Sequence, residues 1–230
     1  MGLARFRRFA RRAVIASATL CSLAGARSAA AAGAMHDVPP SAAPSMDVRE
    51  RRNGLVVGFM GGVGLAGSSG YPNKASQIDQ NGYYSSSDLL QGNGASLFIM
   101  GAIADYVNVG VWFGGGVFQS DHWKSQGGGA GLRLELFPLY ALVPKLKDLG
   151  VVGQFGLGST KLESKVAPYP PAEGTQSFLG VGVFYEWTMF KLLGGHKAGG
   201  PSFEYDAIFS RSAERHWGML GGRIAFYGGI

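Results

Sequence analysis

A chain of 230 residues holds one domain or two, and its 38 glycines, with no collagen period and beside 12% aromatic residues, exclude both a triple helix and simple disorder. The net charge of +6 suggests a nucleic-acid partner, but residues 1–32 carry six arginines and no acid, leaving 15 basic against 15 acidic residues in the rest. A neutral mature chain removes the basis for nucleic-acid binding.

Residues 1–34 read as a secretory signal peptide. Arg5 to Arg12 give a positive start, Ala13 to Ala24 a short apolar run, and Ala24-Gly25-Ala26 or Ala30-Ala31-Ala32 a small-residue cleavage site. The apolar run falls short of the roughly 20 residues that span a bilayer as a helix. Cys21, the only cysteine, lies inside this segment, so the mature chain has neither a disulfide nor a thiolate site. Residues 35–52, with Pro39, Pro40 and Pro44, have no period and read as a disordered arm.

From residue 53 to 230 a period of two recurs. Leu55, Val57, Phe59, Val63 and Leu65 face one way and Val56, Gly58, Met60, Gly62 and Gly64 the other. Ala95 to Ala104 makes a second apolar segment. Val107 to Val117 alternates with Asn108, Gly110, Trp112, Gly114 and Gly116; Ala130 to Leu136 alternates with Gly131, Arg133, Glu135 and Phe137. Leu149 to Leu157 alternates with Val152, Gln154, Gly156 and Gly158, and Leu179 to Trp187 with Gly180, Gly182, Phe184 and Glu186. Phe203, Tyr205, Ala207 and Phe209 alternate with Ser202, Glu204, Asp206, Ile208 and Ser210. In the last segment Leu220, Ile224, Phe226 and Ile230 oppose Met219, Gly221, Arg223, Ala225 and Tyr227.

That makes eight strands, most at or near the 9–11 residues that cross a bilayer when tilted. In all but Ala95 to Ala104, whose two faces are less distinct, the large apolar side chains share one face, and the small residues and sparse charges share the other. A soluble barrel that binds an apolar ligand, lipocalin-like, would run the opposite way. Lipid outside and a narrow polar lumen inside produce this pattern. The spacing predicts outer connections at 68–94, 119–127, 162–176 and 211–215, with inner ones at 105–106, 140–147 and 191–200. The last two are long for the inner side. Girdle aromatics are predicted at Tyr106, Phe137, Tyr140, Trp187, Phe190 and Phe226 near the inner ends, and at Tyr71, Phe118, Trp123 and Trp217 near the outer ends. Trp112 reads as an ordinary interior aromatic.

With its signal segment, its strand count and the aromatic strand Ile224-Ala225-Phe226-Tyr227 near the end, residues 53–230 resemble small bacterial outer-membrane barrels. Examples of that kind are the transmembrane part of outer-membrane protein A and outer-membrane protein X. The resemblance implies an all-β, eight-stranded antiparallel up-and-down transmembrane barrel, located in the outer membrane of a Gram-negative bacterium. Outer-membrane lipid and the barrel assembly machinery would be its partners. Members usually finish on an aromatic residue, whereas this chain ends Gly228-Gly229-Ile230. The resemblance carries no functional residue across and names no surface ligand.

No cofactor, metal or catalytic residue is assigned. Asp79-Gln80-Asn81-Gly82 begins like a calcium loop but lacks the acid needed three positions later. His36, His122, His196 and His216 have no paired spacing for a metal. Asp121-His122 and Glu214-Arg215-His216 set an acid beside a histidine with no nucleophile motif, so an outer-membrane lipid-modifying enzyme is only an alternative. The glycine run Gly61 to Gly67 opens no helix, so it is no phosphate cradle.

The remaining candidate is a polar network in the lumen, formed by Arg133, Glu135, Gln154, Glu186, Glu204, Asp206 and Arg223. Charges in a narrow barrel must pair, because a lone one costs several kcal/mol of desolvation. Four acids against two arginines leave an excess, which Gln154, Ser202, water or a protonated acid must absorb. Glu186 and Glu204 sit close enough to the inner rim to meet water instead. Such a network would plug the lumen, and a barrel of eight strands is narrow enough for side chains to fill. The function expected is non-enzymatic: a structural, adhesive or surface-interaction role through the outer loops.

Overall fold

Period-two alternation with glycine on one face makes long strands here, because bare inward positions leave room for the large side chains of facing strands. The computed structural model describes residues 52, 54–166, 169–192 and 195–228. The signal segment, the arm before Arg52 and the final two residues lie outside the described residues.

Ten strands follow in order: β1 (Gly54–Gly70), β2 (Ser85–Ser86), β3 (Leu90–Ala104), β4 (Val107–Gln119), β5 (Trp123–Leu136), β6 (Leu149–Ser164), β7 (Ala172–Tyr185), β8 (Trp187–Leu192), β9 (Gly195–Phe209) and β10 (Ala213–Gly228). Eight of them make the wall, ordered β10-β1-β3-β4-β5-β6-β7-β9, and a β9–β10 pairing closes it. Every pairing is antiparallel. This is the closed, eight-stranded all-β barrel that the alternation predicts.

The register fixes the barrel's shape. Paired residues lead from Gly58 through Phe98, Trp112, Gly131, Gly156, Phe178, Ile208 and Arg215 to Ser68, so one circuit returns ten residues further along β1. At about 3.3 Å per residue and about 4.8 Å between strands, that stagger tilts the strands by about 40°. The lumen is therefore just wide enough to be filled by side chains. At Gly58 a large side chain takes the space: a Cβ there would lie 2.1 Å from the Phe98 ring.

Three expectations are corrected. First, the inner connection at 191–200 is mostly strand. β8 continues β7 past Glu186 in the same register, with Phe184 paired to Ser202 and Trp187 to Gly199. The interruption falls where Pro201, opposite Tyr185 in that register, has no N–H to donate. Second, most strands run further outward than the apolar pattern suggests. Lys124 to Gly127 is paired on both sides although it reads as a loop, because above the membrane neither face needs to be apolar. The outer turns shrink accordingly, to about residues 120–122 and 210–212. Third, Phe118, Phe137 and Trp217 are buried in the lumen instead of forming girdles. They share the parity of the inward glycines on their strands. Tyr106, Trp187 and Phe190 do lie exposed on the outside near the inner end.

Candidate functional site

The barrel's outer face carries Val57 and Phe59 of β1, Ile99 of β3, Val111 of β4, Leu134 of β5, Phe155 of β6, Val181 of β7, Phe203 of β9 and Ile224 of β10, all exposed. They form a continuous apolar belt around all eight wall strands. Soluble proteins rarely expose contiguous apolar patches beyond a few hundred Å². An apolar outside over a charged inside is the polarity of a barrel set in lipid, and it opposes the soluble lipocalin-like alternative.

Inside, the charged side chains form a ladder that starts at the inner mouth. Arg52 is buried there. It donates from Nη2 to Asp148 at 2.6 Å and from Nε to Glu186 at 3.1 Å, with its guanidinium 3.7 Å from the centre of the Phe137 ring. Glu186 also accepts from Tyr227 Oη at 2.7 Å and from Arg223 Nε at 3.3 Å. Arg223 grips Glu135 with both terminal nitrogens, at 2.5 and 2.9 Å. Such two-pronged, charge-assisted bonds are the strong ones. Glu135 accepts further bonds from Arg133 Nε at 2.9 Å and Asn108 Nδ2 at 3.2 Å. Arg133 Nη2 continues to Glu204 at 2.8 Å, and Gln154 Nε2 links Glu204 at 3.0 Å with Asp206 at 3.5 Å.

The two central arginines would repel each other if stacked bare. Glu135 lies between them, and both guanidiniums face the Phe98 ring, at 4.7 Å for Arg133 and 4.4 Å for Arg223. Phe184 stands 4.3 Å from Arg223 on another side. Rings that pack the lumen thus also take up positive charge.

All seven residues singled out in the sequence are buried and face inward. Glu186 and Glu204 are both 2% exposed, so neither meets water at the rim. Ser202 is buried, but its hydroxyl has no hydrogen-bond partner among the described residues. Part of the acid excess is met by Arg52, one of two buried arginines that the alternation left out; the other, Arg215, touches no carboxylate among the described residues. Arg52 falls in the stretch read as arm, and Arg215 in the stretch read as an outer turn. Each could have been found by extending the parity of its strand: Arg52 is in phase with Val56, and Arg215 with Trp217 and Arg223. Four buried acids (Glu135, Glu186, Glu204, Asp206) then face four buried arginines (Arg52, Arg133, Arg215, Arg223).

The outer half of the lumen is different. Trp112 and Phe178 have ring centres 4.4 Å apart, and Phe178 and Trp217 5.7 Å. Met60, Met219 and Ile208 pack with them. Arg215 lies above, 4.5 Å from the Trp217 ring and 5.2 Å from Phe118.

The other acid–histidine pairs stay apart from this ladder. His122 and Asp88 face each other at 4.0 Å on the exposed rim. His216 Nδ1 meets Tyr205 Oη at 3.0 Å on the outer face, and Glu214 accepts from Ser69 at 3.2 Å. Among the described residues no group of three or more His, Cys, Asp or Glu is placed to hold a metal.

The fold and the charged lumen define a small outer-membrane-type β-barrel. No protein-family model and no curated protein sequence matches the chain. Solved structures of similar fold include Ail, the attachment invasion locus protein of Yersinia pestis, at 12% identity and a TM-score of 0.43, covering 76% of this chain and 99% of that one. Neisserial surface protein A matches at 10% identity and a TM-score of 0.44, with 75% and 96% covered. The outer membrane protein OprG from Pseudomonas aeruginosa matches at 11% and 0.38, with 79% and 100% covered.

Proposed function

We propose that this chain is a non-enzymatic outer-membrane barrel of a Gram-negative bacterium, closed to solutes by its lumen ladder and acting through its outer rim. The observation that carries the reading is the pairing of a complete apolar belt with a lumen that holds a buried charged ladder and a cluster of packed rings. Exported by a signal peptide and inserted by the assembly machinery, it would sit with the belt in outer-membrane lipid and the inner mouth toward the periplasm.

The rim supports a surface-interaction role, structural or adhesive. The wall strands continue beyond the belt, and hydrogen bonds join the outer connections. Tyr71 N donates to Ser212 O at 2.6 Å and Ser87 N to Ser68 O at 2.9 Å, while Ser120 Oγ bonds Asp88 and Lys165 Nζ bonds Ser120 O, both at 2.8 Å. Such a rim is a stiff platform more than a set of loose loops.

The test uses the folded full chain in planar lipid bilayers, beside detergent extraction of membranes and gel mobility with and without boiling. The account expects extraction only with detergent, a heat-dependent mobility shift and no steady conductance. A stable open conductance would overturn the plugged lumen, and solubility without detergent would overturn the membrane reading.

A further inference from the structure

The four lumen arginines are not alike. Arg52, Arg133 and Arg223 each meet at least one carboxylate within 3.1 Å. Arg215 is fully buried too, yet among the described residues its one hydrogen bond runs from Nη2 to the Gly116 carbonyl, at 2.9 Å. Among the described residues its Nε and Nη1 find no acceptor. Asp206, on the neighbouring strand, is hydrogen-bonded to Gln154 and attracts Arg215 only across a gap, with no ion-pair contact between them among the described residues.

Two more orphaned groups lie on the adjoining wall. Ser125 Oγ of β5 and Thr160 Oγ1 of β6 are buried without a hydrogen-bond partner among the described residues. Thr160 pairs with Gly127 across the two strands, and Ser125 is the next inward position of β5 beyond Gly127. A Cβ on Gly127 would lie 2.6 Å from Arg215 Nη1 and 3.0 Å from Thr160 Cα. The guanidinium tip and the threonine therefore flank the same bare stretch of wall. Native structures rarely leave several buried polar groups unpaired at one place, and a buried cation with no acid in direct contact is among the costlier cases.

We infer that this inward patch binds one small inorganic anion, held by Arg215 Nη1 together with the Thr160 and Ser125 hydroxyls. Hydroxyl protons rotate to face an acceptor, so all three groups can donate at once. A water molecule would satisfy two donors but add no negative charge in contact with the guanidinium, which Asp206 reaches only across a gap, whereas an anion supplies both. Phe118 and Trp217 flank the guanidinium and leave the edge toward Gly127 as the binding edge. The inference concerns the outer half of the lumen alone and holds whether or not the barrel conducts.

The experiment follows thermal unfolding of the full barrel in a neutral detergent at constant ionic strength, with gluconate replaced stepwise by chloride, nitrate or phosphate. The expected result is a saturating rise of the midpoint, by about 3 °C or more, for at least one of these anions. That response should vanish in Arg215→Met and weaken in Thr160→Val. Gly127→Ala, which sets a methyl against Nη1, should weaken it as well. Identical midpoints in gluconate and in all three anions would overturn the site, leaving ordered water only. A response in Arg215→Met equal to that of the parent would overturn it too. If Arg215→Met does not fold, unchanged responses in both other variants count against the site in the same way.

Discussion

From Arg52 to Asp206 the lumen is filled by charged and amide side chains, each touching the next. From Trp112 outward it is filled by rings and thioethers packed over glycine. Both halves occupy the same narrow cylinder, but their weaknesses differ. A packed ring loses contacts in proportion to what is cut away. A charged ladder fails abruptly when one member is removed, because its partner stays buried. The inner half should therefore respond to the removal of single charges, and the outer half to volume.

The largest effect is expected at Arg223, which joins Glu135 to Glu186. Arg223→Ala should destabilise the barrel by about 3–5 kcal/mol, as read from urea midpoints in detergent. The pair Arg223→Met with Glu135→Met should recover much of that loss. Equal loss in the single and paired variants would mean that shape, not charge, carries the inner half. Salt should leave the single variant's loss almost unchanged, since a fully buried pair is poorly screened.

On the other side of the comparison, Trp112→Ala should cost about 3 kcal/mol through the cavity left against Phe178. Trp112→Phe should recover part of it, which no substitution of similar shape would do at Arg223. Gly58→Val couples the halves, since a Cβ there meets the Phe98 ring that faces both Arg133 and Arg223. A loss of about 1–3 kcal/mol is expected from overpacking. Arg52→Met should cost least, about 1 kcal/mol, because Glu186 keeps Tyr227 and Arg223 as partners. All of these can be compared with Lys161→Ala on the exposed rim, where the midpoint should not move.

The contrast also marks what could be read before the fold was known. Parity alone places Arg133, Glu135, Gln154, Glu186, Glu204, Asp206 and Arg223 on one face, because a strand leaves no other choice. It gives the number of wall strands for the same reason. It does not give their outer ends. Lys124-Ser125-Gln126-Gly127 looks like a turn when judged by apolar content, yet backbone pairing alone holds it in the wall. Arg215 was hidden by the same error, since its strand was started too late. Arg52 keeps the parity of Val56, but it lies before the first strand and after a proline-rich stretch, where apolar content marks no strand. Which inward charges touch depends on the ten-residue stagger, and no one strand records it.

Everything above depends on the polarity of the wall: lipid against one face, a charged lumen behind the other. The mature chain has no cysteine if residues 1–34 are removed, so single cysteines can be introduced and labelled one at a time. With a fluorophore at Leu134 or Ile224, in lipid vesicles containing a quencher on the acyl chains, strong quenching is predicted and aqueous iodide should have little effect. If iodide instead quenches both positions as well as it quenches a label at exposed Lys161, and the acyl-chain quencher does not, the belt faces water and the account fails.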